Sequence, residues 1–352
     1  MISIAGYGQR ACKARYGANQ FASLRRFALS STLPTSSNSL HQAIPIQLVQ
    51  RIKSGRNKEQ AVFMKKAMYF NKIEDGKVHC FLCPHNCVIG PEALGACRAR
   101  KNIGGELYSL NYGKLTAAAM DPIEKKPLYH FYPGSHVLSV GTFGCNLKCS
   151  FCQNWQIAHE ASDTDDAADA APDWLVDKAL EYMDRGNIGI AYTYNEPSIW
   201  YEFVLETCRK AKAKGLRNIL VTNGFIGKAP LEELLPYVDA MNIDVKAFTA
   251  DFYRDICKAS LEHVKETVLL AAGKCHVELT TLVIPDLNDS MEEISELSRW
   301  IASISPEIPL HLSRYFPNYK LLDKPPTPKE TLMKAKEEAR KHLTYVYVGN
   351  VW

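Results

Sequence analysis

Val137-Leu138-Ser139-Val140-Gly141-Thr142 runs directly into FGCNLKCSFCQNW, residues 143–155. The first six residues are apolar and β-prone, and they read as a buried strand. Cys145, Cys149 and Cys152 follow in the loop after it, with C-x3-C-x2-C spacing. Five further strand-like runs lie downstream: IGIAYTY (188–194), RNILVT (217–222), AMNIDVK (240–246), HVELTTLVI (276–284) and PLHLSR (309–314), with YVYVG (345–349) as an additional one. Between them apolar residues recur at helical spacing, as in WLVDKALEYM after Pro172 and Asp173, IWYEFVLETCRKAKAKG, LEHVKETVLLAAGK and PKETLMKAKEEARKH. Such alternation implies parallel strands joined by right-handed crossovers. Six or so units suit an incomplete TIM-like barrel better than a full eight-stranded one, while a doubly wound open sheet fits the same pattern. In a parallel barrel, active sites are built at the C-terminal ends of the strands, which is where the cysteine loop falls.

Three thiolates can hold three irons of a [4Fe–4S] cubane, whereas clusters used only for electron transfer usually have four cysteine ligands. One iron is then left open. An open iron can chelate S-adenosylmethionine (SAM) through its amino and carboxylate groups and place the sulfonium for electron transfer. Cleavage gives methionine and a 5′-deoxyadenosyl radical, with the protein supplying positioning and exclusion of water.

A second group, Cys80, Cys83, Cys87 and Cys97, has C-x2-C-x3-C-x9-C spacing. Four soft thiolates suit Zn²⁺ or an iron–sulfur centre, with His79 and His85 as alternates, and spacing alone does not choose the metal. Cys12, Cys208, Cys257 and Cys275 read as uninvolved. The chain has 352 residues, 46% of them hydrophobic, enough for a full core. No run approaches the roughly 18 apolar residues of a membrane span, which argues against an integral membrane protein. The net charge of +4 does not indicate nucleic-acid binding, because residues 1–58 hold nine basic side chains and no Asp or Glu. That stretch is also Ser-rich, the composition of an organellar transit peptide. Residues 1–62 are therefore expected to be a disordered targeting extension to a mitochondrial or related matrix, the protein being cytoplasmic if the extension is a gene-model artefact. Residues 63–125 are expected to form a Cys-rich segment and 126–352 the core, with EASDTDDAADAAPD (160–173) as an exposed loop. No general-base triad, phosphate-binding Gly loop or paired-carboxylate signature stands out.

FGCNLKCSFCQNW and the preceding DPIEKKPLYHFYPG (121–134) resemble the radical SAM superfamily, specifically its pyruvate-formate-lyase-activase-like group and, most closely, the AmmeMemoRadiSam system radical SAM enzymes. CFLCPHNCVIGPEALGACRAR, AYTYNEPSIWYEF, VTNGF, MNIDVKAF, VELTTLVIPDLNDS and HLSRYFPNYK are similar to characteristic stretches of that family. The resemblance implies an α/β incomplete (β/α)6 TIM-like barrel of the radical SAM type with a small N-terminal Cys-rich metal-binding segment. It also implies a [4Fe–4S] cluster on Cys145, Cys149 and Cys152, SAM as cosubstrate and hydrogen abstraction from a protein or other unidentified substrate. Phe151 and Gln153 would approach the adenine, Asn195 and Glu196 would receive the SAM amino group, Asp244 and Lys246 would meet its polar groups, and His311 would be a late SAM contact. Each has a plainer reading. Asn195 and Glu196 could cap a helix starting at Pro197, Asp244 and Lys246 could form an internal ion pair, and His311 could be a hydrogen-bonded core residue. A ferredoxin or flavodoxin reductant and Memo-type and AMMECR-type proteins are the implied partners. Rival readings are a glycyl-radical-enzyme activase and a non-catalytic iron–sulfur or zinc module. Relatives are expected to continue after a Gly-Asn like Gly349-Asn350 into another cysteine-containing segment, whereas the sequence given ends at Trp352.

Overall fold

The computed structural model describes residues 64–160 and 167–351. The expected targeting extension, Cys12 and part of the Asp/Ala stretch lie outside them. Eight strands form one sheet: β1 (Ala117–Pro122), β2 (His136–Gly141), β3 (Asn187–Tyr192), β4 (Arg217–Thr222), β5 (Ala240–Asp244), β6 (His276–Val283), β7 (Leu310–Arg314) and β8 (Val346–Gly349). Their spatial order is their chain order. β2 to β8 are parallel, and β1 pairs antiparallel with β2. Crossovers run through α1 (Pro172–Glu181), α2 (Tyr201–Ala213), α3 (Lys228–Leu234), α4 (Leu261–Ala272), α5 (Met291–Ile304) and α6 (Lys329–Ala339).

A doubly wound sheet reverses its strand order partway, which puts helices on both faces. Here the order never reverses, so right-handed crossovers keep every helix on one face and the other face curls inward. β1 and β8 are the two edges, and the curl stays open between them. The result is the incomplete barrel of six strand–helix units with one further parallel strand, YVYVG, at its edge. β3 and β5 are buried along nearly their whole length, as strands covered on both faces must be. Gly189 shows how closely β3 and β4 approach: a Cβ there would meet the Arg217 carbonyl oxygen at 1.9 Å.

β1 was not foreseen, and it moves a boundary. Its pairing with β2 from Ala117 to Pro122 makes it part of the core sheet, so the core begins before the expected division at 125/126. The segment ahead of it is built from strands of two to four residues, in two small three-stranded sheets and in Lys114–Leu115, which pairs with Ala168–Asp169. It is anchored on α2 by Arg100, which is 1% exposed and grips both carboxylate oxygens of Glu202 at 2.8 Å. Among the described residues no helix is long and apolar enough to cross a membrane.

Candidate functional site

A cavity of about 460 Å³ opens at the C-terminal ends of the strands, and Cys145, Cys149 and Cys152 all line it. The loop that carries them is held from both sides. Asn195, just past β3, accepts from the Thr142 backbone N–H at 3.0 Å and donates to the Gly144 carbonyl at 2.9 Å. Gly144 sits at φ +90°, and a Cβ there would strike the Cys97 carbonyl oxygen at 2.6 Å. The N-terminal segment thus presses directly on the cluster loop, and only glycine allows the approach. His85 reinforces the contact through a 2.6 Å hydrogen bond between its ring and the Asn146 carbonyl.

Glu196 lines the same cavity with its carboxylate already engaged. It accepts from Ser198 N–H, Thr222 Oγ1 and Asn223 N–H, each at 2.8 Å. Burial raises its pKa, and these hydrogen bonds only partly offset that. Asp244 and Lys246 also line the cavity and form an ion pair at 2.6 Å. Burial works against the Lys246 charge, but Asp244 and the Cys149 sulfur outweigh it and hold the ammonium above its ordinary range. The plainer readings of Glu196, Asp244 and Lys246 are therefore realised together with cavity placement, Glu196 capping Pro197–Trp200 and Asp244 pairing with Lys246, whereas Asn195 braces the cysteine loop and does not cap.

Phe151, 4% exposed, and Gln153 are in the lining. His311 is the exception. It is 5% exposed and does not line the cavity, because its ring is bonded at 2.7 Å to Glu278 inside the barrel. Its burial and its hydrogen bond to Glu278 are those of the core-histidine reading.

The donor set fits an iron–sulfur cluster with one open iron. Three sulfurs share a wall with Glu196, Asp244 and Lys246, and the volume suits a ligand of SAM's size. Burial raises the Cys145 thiol well above its usual range, and it takes Cys152 to about 11. Cationic iron reverses that preference by binding thiolate. Leu147 N–H and Asn223 Nδ2 donate to the Cys145 sulfur at 3.4 and 3.7 Å, which favours its charged form. Cys257, expected to be uninvolved, is a hydrogen-bond neighbour of Cys149.

Cys80, Cys83, Cys87 and Cys97 surround a separate small cavity together with His85 and Arg100. Among the described residues no three or more His, Cys, Asp or Glu side chains converge as a metal-ion site. That holds equally for Cys145, Cys149 and Cys152, so it does not distinguish the quartet from the triplet. Sequence reasoning missed Lys125, Lys126, Asn154, His159 and Tyr194 as cavity lining. DPIEKK was visible as a motif, but its place in the cavity wall was not: β1 runs antiparallel to β2, sets Pro122 opposite His136 at the start of β2, and the lysines that follow line the cavity.

Residues 139–298 match the family described as Radical SAM superfamily. An uncharacterized protein of Methanocaldococcus jannaschii is 45% identical over 82% of this chain and 86% of its own length. The pyruvate formate-lyase-activating enzyme of Clostridium pasteurianum is 27% identical over 46% of this chain and 67% of that protein. A solved radical SAM methyltransferase from Sphaerobacter thermophilus is 16% identical with a TM-score of 0.49, over 62% of this chain and 67% of that one.

Proposed function

The chain belongs to the radical SAM superfamily, and on that premise we propose that it cleaves SAM reductively and abstracts hydrogen from a separate substrate, a protein among the candidates. The observation that carries the reading is the convergence of Cys145, Cys149 and Cys152 with Asn195, Glu196, Asp244 and Lys246 on one cavity at the strand ends. Cys145, Cys149 and Cys152 would hold a [4Fe–4S] cluster there, and once reduced by an external donor it would supply the one electron that SAM cleavage needs.

The protein's own part is positional. Asn195 fixes the backbone on both sides of Phe143, so the sulfurs are presented from a rigid loop. Lys246 offers an ammonium to a carboxylate, and Asp244 an acceptor to a hydroxyl or an ammonium. Glu196, held in place by its three donors, offers its remaining lone pairs toward the cavity as an acceptor for an amino group. Phe151 contributes an apolar face that helps keep water from a radical. The Cys80, Cys83, Cys87 and Cys97 quartet is proposed as a second centre, zinc or an auxiliary iron–sulfur cluster, that does not cleave SAM. A ferredoxin or flavodoxin would serve as reductant, and Memo-type and AMMECR-type proteins are proposed associates.

Anaerobic reconstitution with iron and sulfide, then reduction in the presence of SAM, tests the reading. 5′-Deoxyadenosine should form, and Cys145→Ala, Cys149→Ala and Cys152→Ala should each abolish it. Undiminished cleavage in all three variants would sink the mechanism. Metal analysis of the triple variant examines the quartet: residual zinc or iron supports a second centre, and background levels of both refute it. The glycyl-radical-activase reading is favoured by the similarity to the Clostridium pasteurianum enzyme. It requires a glycyl radical to appear on a partner in the same reduced mixture.

A further inference from the structure

Part of the cavity wall is chemically unlike the part that holds the cysteines. Lys125 and Lys126 share a single carboxylate, Asp121, at 2.9 and 2.7 Å, and Tyr194 donates its hydroxyl to the same group at 2.8 Å. Two ammoniums on one carboxylate leave an excess positive charge at the lining. Asn154 donates to the Tyr194 carbonyl at 2.7 Å and connects this group to the helical turn Gln156–Glu160, which carries His159.

His159 lines the cavity, is 8% exposed, and has no hydrogen-bond partner on either ring nitrogen among the described residues. Its plane is fixed by stacking on Tyr319 at 5.5 Å and 25°, and Tyr319 stacks in turn on Trp155 at 5.3 Å and 15°. Burial first, and then the charges of Lys148 and Lys320, pull it down to about 4. At neutral pH it is therefore an uncharged imidazole with one N–H and one acceptor nitrogen. Buried polar atoms without a protein partner are rare, and a rigid imidazole left this way has one donor and one acceptor nitrogen for a polar group from the cavity.

The charges behind the ring agree on the sign of that ligand. Arg98 uses its guanidinium on the His159 carbonyl at 3.1 Å, and Lys320 lies over the Tyr319 ring at 5.1 Å. The titratable neighbours of Lys148 are the Cys145 and Cys97 thiols, which burial keeps protonated, and the Arg98 guanidinium. Loading the cavity would not remove the positive excess. A thiolate-ligated cluster is net negative and SAM net positive, so the two largely cancel.

We propose that Lys125, Lys126 and His159 form the substrate subsite, and that it takes a carboxylate on the substrate. The lysines supply charge, and the His159 N–H supplies a directional hydrogen bond. The proposal rests on the radical SAM reading of the same cavity and deepens it by naming the substrate's chemical class. A carboxylate of this kind occurs both on acidic peptide segments and on small organic acids.

Calorimetric titration of the reconstituted enzyme separates the two sources, with SAM bound and the cluster left oxidised so that no turnover occurs. The probes are glutarate and an acidic hexapeptide of alternating glycine and glutamate. Binding of either supports the subsite, and the one that binds identifies the source. Lys125→Gln and His159→Phe should each weaken binding by roughly tenfold or more while SAM affinity is unchanged. The Lys125 side chain is 63% exposed, so its variant reports on the subsite even if His159→Phe fails to fold. Failure of both probes to bind, or equal binding by wild type and Lys125→Gln, overturns the proposal. SAM affinity is measured first. If SAM itself does not bind, the radical SAM reading fails separately, and the probes are then titrated into the SAM-free protein with the same criteria.

Discussion

Asn195 makes the residue-scale case. Its position after a strand is readable from sequence, but its partners are not, because Thr142 and Gly144 lie more than fifty residues earlier in the chain. The helix-cap and ligand readings looked like rivals, yet the structure combines capping and cavity placement in the adjacent Glu196. Such a pair is hard to resolve from sequence, since the acceptor that caps a helix is the acceptor a ligand would use. Replacing Asn195 by Ala leaves the Thr142 N–H and the Gly144 carbonyl without these partners, at a cost of about 1–3 kcal/mol. The cluster loop should loosen. Iron bound after reconstitution should fall well below the wild-type level, while Asn195→Asp, which keeps the acceptor, should retain more of it. Equal iron content in wild type and Asn195→Ala would show that the loop does not depend on this brace.

At the scale of elements, the parallel strands were legible because each is a short apolar run bounded by turn residues; RNILVT is found at the expected residues, 217–222. β1 was not legible, since AAAMDP has no β-branched or aromatic residue and ends in proline. Its role is nevertheless structural: with the stretch that follows, it delivers Lys125 and Lys126 to the cavity. That stretch is pinned by Glu278 on β6, which accepts from the Tyr129 and His130 backbone N–H groups at 3.0 and 2.7 Å and from the rings of His276 and His311 at 2.9 and 2.7 Å. Burial alone would raise the pKa of this carboxylate, but the hydrogen bonds from the two rings and the two backbone groups bring it from 4.5 to about 2. A depressed folded-state pKa stabilises the protein fully above the unfolded value and progressively less as pH falls through the folded one. Glu278→Gln should therefore flatten the loss of stability between about pH 4.5 and pH 2, a contribution on the order of 3 kcal/mol. Denaturant midpoints measured across that range provide the check. An identical slope in wild type and variant would show that Glu278 does not carry it.

For the whole molecule, the question is whether the Cys-rich segment and the barrel fold as one unit. The sequence suggested two bodies, because composition and cysteine spacing change between them, and no local pattern shows Arg100 reaching Glu202 about a hundred residues away. In the structure both side chains are 1% exposed, and Glu202 also accepts from the Met68 N–H at 2.7 Å, so one carboxylate ties two parts of the segment to α2. A buried ion pair contributes little net stability over a well-packed apolar pair, because desolvation consumes most of the attraction. Removing one partner, however, strands a buried charge at about 3–5 kcal/mol. Glu202→Leu should lower the melting point by roughly 5–15 °C, and if the two parts are one cooperative unit it should do so in a single transition seen by every probe. The double variant Arg100→Met with Glu202→Leu should recover most of that loss. Its remaining deficit should reflect the Met68 N–H, which keeps no side-chain acceptor. A split melt in Glu202→Leu, with the segment unfolding below a barrel of unchanged stability, would show that the segment is docked rather than integral. The Cys97 contact with Gly144 would then be a reversible one, and loss of the segment should be accompanied by loss of cluster binding at Cys145, Cys149 and Cys152.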